Sequence, residues 1–418
     1  MRRNIMNPGI LKVKQKNTRD ILEFIIGEGE TSRISIAKAL RLSTGTVTNI
    51  VTELIEQGLV CEAGQEHSSA GRKTSILRFN DKKAYLVTSC FEHIGNEKIC
   101  DNIHLALCDL LGNIVSSRNL TLDINVRPEN SDVIIIKNII SAIKEFIEEQ
   151  DVRISSQIFG VGLCVGGMVD ANQFIDAPAS GWTHYNLVNP LRAALHLPVY
   201  AEGITRIKAL YELRWLDESE KNVIYLNMST GIGMVNFFNG KMVCGRTGIA
   251  GEIGHISLDI NGPKCFCGNN GCFEYYCGLT NIIKRAEQLR DVLDESDVFY
   301  SLAEEADWNI TPELLFKARD QGSLAIYQLF NDVAKYLGAG LATIYNVFDP
   351  DHLVLSGYAD GLDDAVINNA LIEAKSKIIN KFSREMKVSR AHLKTNQESV
   401  AKAIALFVTE KYLDSVCN

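Results

Sequence analysis

The chain has 418 residues, of which 46% are hydrophobic and 22% are charged. These ordinary values exclude a disordered, collagenous or coiled-coil protein, and the length suits two or three domains. No apolar run approaches the roughly 18 residues of a membrane span, and no apolar segment of a secretory signal follows the first charges. We therefore predict a cytoplasmic protein that does not bind membranes.

The charge is unevenly distributed along the chain. Residues 1–83 carry 14 Lys and Arg against 9 Asp and Glu, a net charge of +5, whereas the remainder carries a net charge of −13. A small basic segment on a large acidic protein indicates that the N-terminal segment binds a polyanion. The alternative is an ordinary solvated basic face.

The N-terminal segment is predicted to begin with two helices. Apolar residues from Ile21 to Ile26 indicate a first helix that ends at the glycines within 27–29. Thr31 and Ser32 are N-cap candidates for a short second helix.

A turn over residues 42–45 precedes a third predicted helix. Its buried face consists of Val47, Ile50, Val51, Leu54 and Ile55. This succession follows the helix-turn-helix plan, in which the second helix of the pair enters the major groove of DNA. We predict DNA contacts from polar residues of the turn and of the other helix face, namely Ser43, Thr44, Thr46, Thr48 and Asn49.

Two strands with a polar loop between them follow. Residues 58–60 begin the first strand and residues 75–79 form the second, while the loop carries the cationic tip Gly71-Arg72-Lys73. This pattern is typical of the wing of a winged helix, whose Arg72 and Lys73 would approach phosphates or a neighbouring groove. The alternative is a three-helix structural or protein-docking domain, but the element order, wing and charge together favour DNA.

From about residue 84, strands alternate with long helices. A helix is indicated by isoleucines spaced between residues 135 and 147, and another ends near Trp215. The predicted strands are residues 84–90, 103–111, 113–123, 158–165 and 223–227. Two α/β lobes of similar pattern indicate a duplicated fold with a ligand cleft between the lobes.

We therefore predict three domains. A winged helix covers residues 1–83, a first α/β lobe covers 84–200, and a second lobe covers 201–418. A C-terminal helix over residues 398–413 is expected to pack back on the first lobe.

Eleven cysteines without a signal peptide argue against a disulfide framework. Cys265, Cys267 and Cys272 lie within eight residues and follow His255. One imidazole and three thiolates describe a closed tetrahedral zinc site, which is structural because no coordination position is left for water. The alternative is three reduced cysteines that lie close by chance. We predict one structural zinc ion per chain.

These residues carry a resemblance to a known family. Gly251-Glu252-Ile253-Gly254-His255, followed by Cys-x-Cys-Gly-x-x-Gly-Cys-x-Glu, resembles the signature of the ROK family of sugar kinases and sugar-responsive repressors. The winged helix is similar to that of the repressor branch. The implied fold is an α+β winged helix joined to a two-lobed, actin-like sugar-kinase (ribonuclease H-like) α/β fold.

The resemblance also implies roles for individual residues. His255, Cys265, Cys267 and Cys272 would bind zinc, while Glu252, His255 and Glu274 would hydrogen-bond sugar hydroxyls. Gly167 matches the expected glycine of a further loop of the effector site. The alternative for the two glutamates is helix capping or a solvated loop.

The kinase pattern of the family is incomplete in this chain. Active members carry their catalytic base in a Glu-Asn-Asp segment, and the matching residues here are Glu202, Gly203 and Ile204. An isoleucine cannot accept a proton, so loss of the base alone implies at least ~10²-fold impairment. The first phosphate loop, residues 89–96, lacks paired glycines that would cradle a phosphate.

Other parts of the kinase site are ambiguous. Residues 229–233 and 354–357 keep the glycines of a phosphate loop and an adenosine contact, but we favour ordinary tight turns. Ala179 stands where relatives often have Asn, two residues before Gly181-Trp182. Trp182 would either stack on a sugar or belong to the core.

The predicted function is that of a DNA-binding transcriptional regulator, a repressor of carbohydrate metabolism without enzymatic activity. Its partners would be a double-stranded DNA operator, a sugar or sugar phosphate effector, and further copies of the chain in a homodimer or tetramer. Two alternatives stay open. One is an active ATP-dependent sugar kinase with an added DNA-binding head, and the other is a repressor controlled by a protein partner.

Overall fold

The computed structural model describes residues 8–67, 73–92, 102–121, 131–177, 182–217, 219–379, 385–393 and 396–417. The chain divides into two compact units. The first comprises Met1–Met168, Gln173–Gly203 and Asn396–Asn418, and the second comprises Val169–Asn172 and Ile204–Thr395. Within the described ranges, no helix is long and apolar enough to cross a membrane.

The N-terminal residues fold as three helices and a small sheet in which β3 pairs antiparallel with both β1 and β2. The elements are α1 (Pro8–Glu28), β1 (Glu30–Thr31), α2 (Arg33–Ala39), α3 (Thr44–Glu56), β2 (Val60–His67) and β3 (Lys73–Phe79). The predicted order of helices and hairpin is confirmed.

Several predicted boundaries were wrong in this segment, and the hairpin strands cover Val60–His67 and Lys73–Phe79 rather than beginning at residue 58 and covering residues 75–79. Thr31 belongs to β1, so Ser32 alone caps α2 by accepting a hydrogen bond from the N–H of Ser35. The predicted turn ends earlier than expected, because Ser43 caps α3 and Thr44 is already the first helical residue. The Ser43 hydroxyl accepts the N–H of Thr46, which is the bond that fixes this helix start.

The rest of the first unit is built on a five-stranded sheet of order β11-β7-β4-β5-β6. β7 is parallel to β4 and β11, whereas β5 is antiparallel to β4 and β6. The elements are β4 (Tyr85–Glu92), β5 (Asn102–Asp109), β6 (Ile114–Thr121), α4 (Ser131–Glu148), α5 (Val152–Ser155), β7 (Ile158–Val165), β8 (Met168–Val169), β9 (Ile175–Ala177), β10 (Trp182–Tyr185), α6 (Val188–Leu195) and β11 (Val199–Gly203).

The second unit repeats this arrangement with a sheet of order β14-β13-β12-β15-β16. Again three consecutive strands are antiparallel, and two later strands add in parallel beside the first of them. The elements are α7 (Ile204–Glu212), β12 (Val223–Met228), β13 (Ile232–Phe238), β14 (Lys241–Met242), α8 (Phe273–Cys277), α9 (Leu279–Glu287), α10 (Val298–Glu305), α11 (Pro312–Asp320), α12 (Leu324–Phe348), β15 (His352–Gly357), α13 (Asp364–Lys377) and β16 (Val388–Arg390).

The chain ends in α14 (Gln397–Cys417), which lies in the first unit and packs against β4, β5 and β7. The first compact unit contains both the winged helix and the first α/β lobe, and it also contains residues 396–418, which were predicted to belong to the second lobe. Because two compact units are not three domains, the domain boundaries at residues 83 and 200 stay predictions.

One hydrophobic core is shared by α1, β4 and α14. It contains Leu22 of α1, Leu86 of β4, and Ala401, Ala405 and Val408 of α14. The winged helix is thus packed onto the first α/β lobe through buried side chains.

Ion pairs reinforce the contact between α1 and α14. Arg19 bonds Glu410, and its Nη1 lies 3.2 Å from Oδ1 of Asp414. Its Nε also lies 2.5 Å from Oε1 of Glu23 in the next turn of α1. The three carboxylates are 49% to 62% exposed, so these are surface ion pairs and each contributes at most about 1 kcal/mol.

We predict that Gly162→Ala destabilises the first unit by about 1–3 kcal/mol, the usual cost of overpacking. A Cβ at Gly162 would lie 2.6 Å from both Ile404 Cγ2 and Val408 Cγ2 and would push α14 off β7. The measurement is the midpoint of denaturant-induced unfolding. Gly166→Ala is the matched control, because nothing lies within 4 Å of a Cβ there. Equal midpoints for the two variants would contradict the close packing of α14.

Candidate metal centre and DNA-binding surface

The segment from Gly251 to His255 lies against β13 in the second unit. The N–H of Met234 donates to the carbonyl of Gly251 at 3.0 Å. Gly251 has a φ of +112°, and a Cβ there would collide with the Met234 carbonyl. At Gly254 a Cβ would collide with the carbonyl of Ile232. Both glycines of the motif are therefore explained by the close approach of two backbones.

One imidazole and three thiols meet directly after this segment. The ligand atoms of His255, Cys265, Cys267 and Cys272 all lie within 4.8 Å of one another. Nδ1 of His255 is 3.8 Å from Sγ of Cys265, and Sγ of Cys267 is 3.6 Å from Sγ of Cys272. Ligands about 2.3 Å from a tetrahedral ion are separated by about 3.7 Å, so this cluster could hold a metal ion.

Backbone hydrogen bonds fold the loop that carries the cysteines. The N–H of Cys265 donates to the carbonyl of Asn269 at 2.8 Å, and the N–H of Gly271 donates to that of Pro263 at 2.7 Å. Gly271 has a φ of +57°, and a Cβ there would collide with Asp259. Burial raises the pKa of Cys272 to about 12, and a bound cation would be needed to keep that sulfur ionised.

Arg206, which the sequence analysis missed, positions the residues before Glu252. Its guanidinium bonds the carbonyl of Gly248 and lies 3.5 Å from the carbonyl of Ala250. Only the fold brings α7 to this loop, so no local signal could have identified Arg206. Glu252 itself is exposed. The pKa of Glu252 lies above its ordinary value. Partial desolvation of the carboxyl group is the main cause, the neighbouring charge of Glu274 adds to it, and His255 opposes it.

Glu274 bonds the backbone of the β12–β13 connection. Its Oε2 accepts the N–H of Ile232 at 2.8 Å, and a Cβ at Gly231 would collide with that oxygen. The same connection is tied to α9, because the N–H of Leu279 donates to the carbonyl of Ser229 at 2.9 Å. The predicted phosphate-loop residues are thus held as a tight turn, with Glu274 as one of its supports.

Ile204, the residue at the predicted base position, is the first residue of α7 and is half-buried. The neighbouring Glu202 accepts the N–H of Gly203 at 2.9 Å through its Oε1. At the end of β15, Gly357 has a φ of +81°, and a Cβ there would collide with the carbonyl of Met228. That glycine is explained by strand packing.

In the first unit, Gly167 packs against the strand β9, where a Cβ would lie 2.7 Å from Cβ of Ala177. Trp182 is 5% exposed and stacks on Tyr185 with ring centroids 4.8 Å apart. Trp182 therefore belongs to the core, which is the second of the two alternatives given for it in the sequence analysis. Ala179, Gly181 and residues 93–96 of the first phosphate loop lie outside the described residues.

Five of the predicted DNA-contacting residues lie at the start of α3. Val47, Ile50, Val51 and Leu54 are buried, which turns the opposite side of α3 to solvent. Ser43, Thr44, Thr48 and Asn49 are exposed, and Thr46 is half-buried. Lys73 is the first residue of β3, whereas Arg72 lies outside the described residues.

Two family models match the chain. The model described as the ROK family matches residues 94–410, and the model described as winged helix-turn-helix DNA-binding matches residues 14–60. Together they account for both the α/β units and the N-terminal helices.

The chain is similar over almost its whole length to the xylose repressor of Bacillus subtilis, with 28% identity over 406 residues that cover 97% of each chain. Among solved structures, it resembles a ROK family transcriptional regulator described as a homologue of the Escherichia coli MLC protein. The TM-score is 0.78 at 21% identity, covering 97% of this chain and 98% of that one. A ROK glucokinase from Streptomyces griseus matches 78% of this chain and 100% of its own, with a TM-score of 0.62 and 23% identity.

We predict that Glu274→Ala destabilises the second unit by about 1–3 kcal/mol, because the N–H of Ile232, a residue only 3% exposed, loses its acceptor. Glu274→Gln keeps an acceptor oxygen and should lose less. Thermal unfolding of both variants measures the difference. An alanine variant as stable as the wild type would show that this bond does not support the turn.

Proposed function

Because the chain belongs to the ROK family, we propose that it is a DNA-binding transcriptional repressor whose affinity for DNA is set by a small sugar. The main support is that one chain contains both a winged helix-turn-helix and a ROK domain, each matched by its own family model. The full-length similarity to a xylose repressor supports the same conclusion.

In this proposal α3 enters the major groove of the operator. Ser43, Thr44, Thr46, Thr48 and Asn49 contact bases or backbone, and Arg72 and Lys73 of the wing contact phosphates or the neighbouring groove. The net charge of +5 over residues 1–83 attracts the phosphate backbone. Two copies of the chain would present two recognition helices to two half-sites, in a homodimer or in a tetramer.

The proposed effector is a sugar or a sugar derivative. Glu252, His255 and Glu274 are its proposed hydrogen-bonding partners in the second unit, and Gly167 is retained from the family pattern. Since Nδ1 of His255 faces Cys265, its other ring nitrogen is the one that can meet a sugar hydroxyl. The exposed carboxylate of Glu252 suits two neighbouring hydroxyls.

The proposed metal is one structural zinc ion per chain, held by His255, Cys265, Cys267 and Cys272. Three thiolates and an imidazole are donors that zinc prefers, and a complete set of four protein ligands leaves no position for a reacting water. Zinc would stiffen the loop and fix the ring of His255.

We do not assign kinase activity to this chain. Ile204 cannot act as a base. In the second phosphate loop, Gly231 is explained by its packing against Glu274, and a Cβ at Gly233 would lie 3.2 Å from Oγ1 of Thr205. A sugar kinase with an added DNA-binding head is the rival function, since a ROK glucokinase shares the fold. Control by a protein partner is the second rival.

We predict that one sugar raises the unfolding temperature of the zinc-loaded protein in the absence of ATP. A ligand at 100 times its dissociation constant adds about 2.7 kcal/mol of stability, which a thermal-shift assay resolves easily. The screen covers xylose, glucose, amino sugars and sugar phosphates, and the sugar that shifts the protein should also change its affinity for operator DNA. Glu252→Gln should abolish the shift.

Glu287→Gln, an exposed glutamate of α9, is the matched control and should respond as the wild type does. The same samples receive Mg-ATP. Phosphorylation of the sugar would establish the kinase rival instead. A protein that binds DNA but responds to no sugar would favour control by a protein partner.

We predict that the purified protein contains about one zinc ion per chain and that Cys267→Ser loses most of it, because a serine hydroxyl is not ionised at neutral pH. Cys267 is exposed, so the substitution leaves packing intact. Metal content is measured by mass spectrometry of the desalted protein. Cys244→Ser, which changes a cysteine outside the cluster, should retain the metal. Equal metal content in both variants would refute the site.

A further inference from the structure

We propose that Asn49 reads adenine in the major groove and that the exposed face of α3 selects A·T base pairs. This inference rests on the proposed function, and it names the bases that the repressor recognises. It goes beyond the general prediction that α3 contacts DNA.

The composition of the exposed face is the first argument. The residues of α3 that point to solvent in its first three turns are Thr44, Gly45, Thr48, Asn49 and Thr52. The whole helix, from Thr44 to Glu56, contains neither lysine nor arginine. Bidentate readout of guanine uses these two cations, so this face lacks the side chains that most often select G·C pairs.

The hydroxyl groups of the face provide the second argument. Thr48 donates its proton to the carbonyl of Thr44 at 2.7 Å, and Thr52 donates to the carbonyl of Thr48 at 2.8 Å. A hydroxyl whose hydrogen is engaged with a backbone carbonyl presents only the lone pairs of its oxygen to DNA, whereas N7 and O6 of guanine are acceptors and need donors. These threonines therefore offer DNA a methyl group and an acceptor oxygen. A threonine methyl suits the methyl group of thymine.

The third argument concerns the polar residues beside Asn49. Ser43 and Thr46 bond each other at 2.8 Å, and Ser43 also caps the helix. Glu53 is paired with Lys14 of α1 at 2.7 Å. The amide of Asn49 makes no hydrogen bond within the described part of the chain, and it carries both a donor and an acceptor. The amino group at N6 of adenine donates to the oxygen of such an amide, and N7 of adenine accepts from its NH2 group.

The experiment is selection of bound duplexes from a randomised DNA library by the full-length protein. We expect a conserved A·T pair in each half-site, and replacing that pair should weaken binding by roughly 5- to 150-fold. Asn49→Ala should lose the preference at that pair alone. Asn49→Arg should change the selected base from adenine to guanine, since arginine is the bidentate partner of guanine.

Gln57→Ala is the matched control, because Gln57 is an exposed amide at the other end of the same helix. It should select the same sequences as the wild type. A second readout is the salt dependence of binding, whose slope should be unchanged in Asn49→Ala because no phosphate contact is lost.

Two results would overturn the inference while leaving the proposed function intact. One is a wild-type operator whose half-sites are specified by G·C pairs alone. The other is an Asn49→Ala variant that binds all sequences more weakly by the same factor and with a smaller salt slope, which would make Asn49 a phosphate contact. If no duplex is selected, the proposed function itself fails and this inference fails with it.

Discussion

The return of the last helix to the first sheet is the contact on which the described arrangement of the first unit depends. α14 covers β4, β5 and β7, and its small residues Ala401 and Ala405 allow it to share a core with α1 of the winged helix.

The residues just before α14 are held equally firmly in the second unit. Glu212 is 1% exposed and accepts the N–H groups of His392 and Leu393. A buried carboxylate with several hydrogen-bond partners is costly to displace, because its charge would be left uncompensated. The chain that leads from the second unit into α14 is thus anchored at its start, and α14 in turn carries the contact with the winged helix.

The signature around the metal cluster combines two kinds of constraint. Gly251 and Gly254 are dictated by backbone approach to β13, whereas His255 and the three cysteines are explained by ligand chemistry. Glu274 adds a third element, since it supports the turn before β13 while lying in the same unit as Glu252. A Glu274 variant could therefore lose its response to sugar either because a contact to the sugar is lost or because the turn is destabilised. A Glu252 variant tests sugar binding without disturbing that turn.

The sequence by itself determined the local features of this protein. Helical periodicity placed α3, the strand predicted over residues 158–165 coincides with β7, and the spacing of His255 and the cysteines indicated the metal cluster. These signals are local, because a cap, a helix face or a ligand loop is fixed by neighbours within a few residues.

Only the tertiary structure decided that Arg206 holds the loop before Glu252, that Glu274 bonds Ile232, and that α14 packs against α1. Each of these contacts joins residues far apart in the chain, and their proximity depends on how whole sheets pack rather than on any pattern that the sequence displays.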